Sequence, residues 1–118
     1  MVGLDANFAE LRRAFIEHPV RFVYVLDGDG SFRGVVSLHD FNQHVLAGGE
    51  GGEPGARELL RTDMPLLTPQ MTLSDALQSF FGHRGERLPV VESTEAPRLV
   101  GAVAKGDLLM QIRSAAGG

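Results

Sequence analysis

The sequence predicts a mixed α/β (α+β) fold made of two copies of one βαββα unit, the first copy lacking its leading strand. Short apolar runs of strand length alternate with stretches whose apolar residues recur at helical spacing, and this order of elements occurs twice along 118 residues. Between the copies, Gly48, Gly49, Gly51, Gly52 and Gly55 crowd around Pro54 without periodicity, which reads as a linker. The boundaries that follow are 4–47 for the first unit, 48–56 for the linker and 57–113 for the second.

The second unit shows the full order. Leu66-Leu67-Thr68 is a short apolar run closed by Pro69. Thr72-Leu-Ser-Asp75 then offers a hydroxyl to a first-turn amide and a carboxylate to the positive helix end. Leu73, Ala76, Leu77, Phe80 and Phe81 follow as one apolar stripe, and Gly82 ends that helix. Leu88–Val91 and Leu99–Ala104 are strands around a turn at 93–97. A helix over 105–113, with Leu108, Leu109 and Ile112 on its apolar face, closes the unit.

The first unit repeats this from its helix onward. Asn7-Phe-Ala-Glu10 is a capping box, with Phe8, Leu11 and Phe15 on one face behind it. Phe22–Leu26 and Phe32–Val36 form a hairpin around Asp27-Gly-Asp-Gly30, and a helix runs over Leu38–Leu46. An offset of 65 residues carries Phe8, Phe15 and His18 onto Leu73, Phe80 and His83; an offset of 67 carries Gly34, Val36 and Asp40 onto Gly101, Val103 and Asp107. Two residues inserted in loops explain the drift. No residue before Asp5 is expected to supply the missing strand, so the chain reads as a piece of a longer protein, or the strand comes from another chain.

Composition narrows the function. Apolar residues make up 43% and charged residues 22%, a globular balance, and the net charge is −4. Arg12, Arg13 and Lys105 are too scattered to form a basic stripe, which excludes nucleic acid as the expected partner. No apolar run is long enough to span a bilayer, no basic-then-apolar leader opens the chain, and there is no cysteine for a disulfide or thiolate site.

Two Gly-to-Asp motifs carry the most specific signal: Gly34-Val-Val-Ser-Leu-His-Asp40 and Gly101-Ala-Val-Ala-Lys-Gly-Asp107. With Leu88-Pro-Val-Val91 between them, they make the chain from about Asp5 to Arg113 resemble the tandem CBS domain, or Bateman module. The resemblance implies two units packed as a pseudo-twofold pair, a homodimer, and a regulatory role. It also implies an adenine nucleotide (ATP, ADP or AMP) as effector, with no cofactor required. In that family the hydroxyl residue and the Asp hold ribose hydroxyls, so Ser37 and Asp40 would serve one site. Asp107 would serve the second, with Lys105 near phosphate and Pro89 with its neighbours lining an adenine pocket. Chemically, a carboxylate at a helix start accepts from vicinal hydroxyls while first-turn amides favour anions. Ser37-x-x-Asp40 is equally a plain helix cap, and Ala104 offers no hydroxyl in the second motif, where a structural role is the better expectation.

A narrower likeness concerns Phe22 to Asp40 and the stretch Arg61-Thr-Asp-Met-Pro-Leu-Leu-Thr-Pro69. Both are similar to the cytosolic C-terminal CBS pair of ClC-type chloride channels and antiporters. This implies a membrane-embedded transporter portion in the same parent chain and a place on the cytoplasmic face. The alternatives are a structural dimerisation module without ligand, or a CBS pair from a metal-ion efflux protein, a nucleotide-biosynthesis enzyme or a stand-alone CBS protein.

Catalytic and metal patterns fall short. Asp40 and His44 are four apart on one helix beside His39, but no third ligand or His-Glu-x-x-His pattern accompanies them. The twelfth position counted from Asp27 is Leu38, where a calcium loop needs a bidentate Glu. Gly28, Gly30 and Gly34 miss dinucleotide spacing, and no serine or threonine has a legible His-plus-acid partner set. The expectation is a binding module, not an enzyme.

Overall fold

A computed structural model describes residues 1–18, 20–46, 53–81 and 87–109. Gly48–Gly52, Gly82, His83 and the part of the closing helix that carries Ile112 lie outside them. The chain divides by packing into two units, Met1–Asp63 and Met64–Gly118.

In the first unit, β1 (Val2–Gly3) pairs parallel with β2 (Phe22–Leu26), and β2 pairs antiparallel with β3 (Phe32–Ser37). The leading strand expected to be missing is therefore present. Two residues carry no readable alternation, but Val2 opposes Val25, Gly3 opposes Leu26, and the Leu4 N–H donates to the Leu26 carbonyl at 3.0 Å. Helix α1 (Phe8–Glu17) starts at the expected capping box: Asn7 Oδ1 accepts from the Glu10 N–H at 2.9 Å and Glu10 Oε1 from the Asn7 N–H at 3.3 Å. Its Phe8 stacks on Phe41 of α2 (Leu38–Leu46) with ring centroids 4.5 Å apart, and Phe15 leans on the same ring at 5.2 Å. Ala6, Leu11, Val25, Val36 and Ala56 complete this core.

Ala56 opens α3 (Ala56–Leu59), a single turn that the sequence assigns in part to the linker and in part to the second unit. Its N–H donates to the Ala6 carbonyl at 2.9 Å, and its methyl is fully buried. Arg57 pairs with Asp5 at 3.1 Å, and Leu59 and Leu60 pack on the same core. Packing thus draws the chain up to Asp63 into the first unit, past the point where the repeat begins again.

In the second unit Leu67 bridges parallel to Val90, donating to the Pro89 carbonyl at 2.9 Å and accepting from the Val91 N–H at 2.8 Å. Helix α4 (Leu73–Ser79) is capped by Thr72, whose Oγ1 accepts from the Asp75 N–H at 3.1 Å. It stops at Ser79, earlier than Gly82, so Phe81 falls beyond the cap and stands 75% exposed while Ala76 and Phe80 are buried. Strands β4 (Arg87–Val91) and β5 (Leu99–Ala104) pair antiparallel, and residues 105–109 are helical.

The duplication holds at the level of single pairs. Val25 opposes Gly34 where Val90 opposes Gly101, and each hairpin breaks register immediately afterwards, between Val25 and Leu26 or between Val90 and Val91. Such a bulge sharpens the local twist and re-aims the strand end.

Candidate functional site

The first motif is assembled where β3 turns directly into α2. Ser37 is the last residue of the strand and is buried; its Oγ accepts from the Asp40 N–H at 3.0 Å, satisfying an amide that the helix leaves free. Asp40 thereby projects from the first turn. Its carboxylate is gripped by the Arg61 guanidinium through a bidentate pair, Nη2 to Oδ1 at 2.9 Å and Nε to Oδ2. That fork holds the Asp40 carboxyl below the usual carboxylate range; partial burial works against it and the contact with Ser37 supports it. Arg61 is correspondingly pushed further up.

Arg61 is positioned by its backbone. It exchanges hydrogen bonds with Val35 on β3, Arg61 N–H to Val35 O at 2.8 Å and Val35 N–H to Arg61 O at 2.9 Å. The close approach requires glycine at position 34. With φ at +154°, a β-carbon there would overlap the Arg61 carbonyl oxygen and come within 2.9 Å of Leu60 Cδ1. Asp40, Gln43 and His44 from α2, with Glu58 to Arg61 opposite, line a cleft of about 420 Å³. The His44 ring tilts against Phe8 at 6.1 Å, and its Nε2 is buried without a partner among the described residues.

The second motif differs at each of these points. Ala104 ends β5 without a hydroxyl to cap the helical residues that follow, and Gly101 has open space where a β-carbon would stand. Lys105 and Asp107 are both exposed at the start of that helical stretch. Pro89 is fully buried within β4, opposite Ala102, and its carbonyl already accepts from Leu67. Ser37 and Asp40 are thus brought together, Lys105 and Asp107 stand exposed two residues apart in one helical stretch, and Pro89 serves the sheet. Arg61 is the residue that sequence reasoning passed over. Its only trace is Gly34, a glycine inside a strand, which signals that another backbone comes close.

The CBS-domain sequence profile matches residues 1–47 and again residues 56–114. The chain belongs to the CBS-domain family. It is a tandem CBS pair, and the two profile matches begin again at 56 although packing divides the chain after Asp63. The pair is 33% identical over 107 residues to the CBS domain-containing protein YhcV of Bacillus subtilis, covering 91% of this chain and 74% of that protein. It is 33% identical over 86 residues to the inosine-5'-monophosphate dehydrogenase of Halobacterium salinarum, covering 72% of this chain and 16% of the enzyme. Among solved structures, the cystathionine beta-synthase pair domain of SO5017 from Shewanella oneidensis superposes with a TM-score of 0.79 at 24% identity, covering 98% of this chain and 65% of that one. CBSX2, solved in complex with AMP, superposes with a TM-score of 0.73 at 20% identity, covering 98% and 87%. At these identities the structural likenesses establish the fold.

Proposed function

We propose that this CBS pair is a regulatory, ligand-sensing module whose first unit takes an adenine nucleotide, with Asp40 accepting from the ribose hydroxyls. The observation that carries the reading is the placement of Asp40 at the start of α2, beside an open cleft that also holds a guanidinium. A carboxylate for a diol and a cation for a phosphate are the two groups a nucleotide requires. The AMP held by CBSX2 supports the choice of ligand. Lys105 and Asp107 repeat the charge pattern, but Ala104 removes the cap and the hydroxyl, so one nucleotide per chain is assigned, to the first motif. Pro89, fully buried in β4 with its carbonyl engaged by Leu67, is assigned to the sheet and not to the ligand.

Binding of this kind regulates a partner when the ligand prefers one of two states by about 1–3 kcal/mol. We assign the pair to a homodimer within a parent transporter, at the cytoplasmic face, with a ClC-type chloride channel or antiporter as the parent that the likeness of 22–40 and 61–69 favours. A second parent, a stand-alone CBS protein, is favoured by the 74% of YhcV that the chain covers. Calorimetric titration with ATP, ADP and AMP tests the ligand reading. Saturable binding of one nucleotide per chain, lost in Asp40→Ala and kept in Asp107→Ala, is the expected result. A folded chain that takes up none of the three leaves a dimerisation module, which sedimentation would show as a dimer at micromolar concentration.

A further inference from the structure

Resting on that nucleotide reading, we propose that Arg61 is a specificity-determining latch: it occupies the Asp40 carboxylate until a ligand arrives whose own anion takes the guanidinium in exchange. Both Asp40 oxygens are engaged by one guanidinium, through Nη2 and Nε, so a vicinal diol that takes the carboxylate face on competes with the fork for the same side of both oxygens. The latch has a fixed base and a free end. Two backbone hydrogen bonds to Val35 and the absence of a β-carbon at Gly34 fix the main chain of Arg61, whereas its side chain is half exposed at the mouth of the cleft. It opens by side-chain rotation, with no movement of the strand.

The consequence is selection by charge. A nucleoside brings hydroxyls for Asp40 and nothing for Arg61, so binding exchanges a bidentate ion pair for bonds from neutral donors and leaves the guanidinium without its carboxylate. A nucleotide brings hydroxyls and a phosphate, and both members of the pair are satisfied again. The neighbouring carboxylates are poor substitutes. Glu58 Oε2 is committed to the Gly55 N–H at 2.8 Å, and Asp63 acts on Arg61 only through its charge. The second motif, where Ala104 provides no cap for Asp107, shows no such device among its described residues.

Calorimetric titration of the chain with AMP and with adenosine, in the wild type and in Arg61→Gln, tests the exchange. The wild type is expected to prefer AMP by about tenfold or more, the scale of one charge-assisted interaction. Arg61→Gln is expected to bind AMP more weakly and adenosine more tightly, bringing the two within about threefold. Arg61→Lys, which keeps the charge and loses the fork, is expected to fall between them and replaces the Gln variant should that one not fold. An AMP-to-adenosine ratio unchanged in Arg61→Gln, or equal weakening of both ligands, overturns the latch and leaves the nucleotide reading standing. Failure of both ligands to bind wild type and variants alike overturns that reading and the latch with it.

Discussion

The Ser37 hydroxyl lies where β3 ends and α2 begins, buried and within 3.0 Å of the Asp40 N–H. Removing it in Ser37→Ala strands an amide of the first helical turn, and the expected loss is about 1 kcal/mol of stability, read as a lower urea midpoint with an unchanged slope. A serine whose only part is to touch ligand would leave the unliganded midpoint in place. Asp40 adds a dependence on pH. The Arg61 fork lowers its carboxyl below the ordinary 3.8, so the unfolded chain binds the proton more readily than the folded one. The contribution is complete above that ordinary value and is lost as pH falls below it. Because half of the Arg61 side chain is exposed, solvent screens the pair and its contribution is small. Urea midpoints between pH 7 and pH 3 are expected to fall less steeply in Asp40→Asn than in the wild type. Some acid dependence remains in that variant, because Asp29, hydrogen-bonded with Asp27 and Ser31 in the hairpin turn, is itself lowered to about 2. Equal slopes in the two proteins would show that the fork does not hold in solution.

Among the elements, the two hairpins carry one register and two different glycines. Gly34 and Gly101 occupy matching positions, each opposite a valine and next to a bulge, yet only Gly34 has another backbone laid against it. Gly34→Ala is expected to cost about 2 kcal/mol through overpacking against Arg61 and to loosen the Asp40 fork with it. Gly101→Ala, with nothing within 4 Å of the new methyl, is expected to change stability by less than about 0.5 kcal/mol. Paired thermal melts settle the contrast, and equal losses at the two positions would remove the assigned role of Gly34. The same pair of glycines marks what sequence can reveal. Helices with capping residues and strands of five or six residues were legible, because their periodicity and end signals are local. The two-residue β1 was not, since one pair of residues has no period. Ser37 and Asp40 were legible through their motif. Arg61 was not, because it reaches Asp40 by a backbone bridge between segments far apart in the chain, and no local pattern records such a pairing.

Over the whole molecule, repeat and packing divide the chain at different places. The CBS profile begins again at residue 56, whereas the residues from Gly55 to Arg61 are tied back to the first unit. Ala56 donates to Ala6 and is buried among Phe8, Leu11 and Phe41; Gly55 leaves room for the Ala6 carbonyl, which a β-carbon would meet at 2.8 Å; Arg61 is bridged to Val35. A segment that opens the second sequence repeat therefore closes the first packed unit, and the Asp40 fork depends on this return of the chain. The tie-back can be read from hydrogen exchange without cutting the protein. Leu11 is fully buried in the first core, and Leu11→Ala is expected to destabilise it by about 2–5 kcal/mol. If packing sets the division, the amides of Ala56 and Arg61 lose protection by the same free energy as that of Val35, while those of Leu67 and Val91 lose less. Ala56 and Arg61 following Leu67 and Val91 instead would place the segment with the second unit.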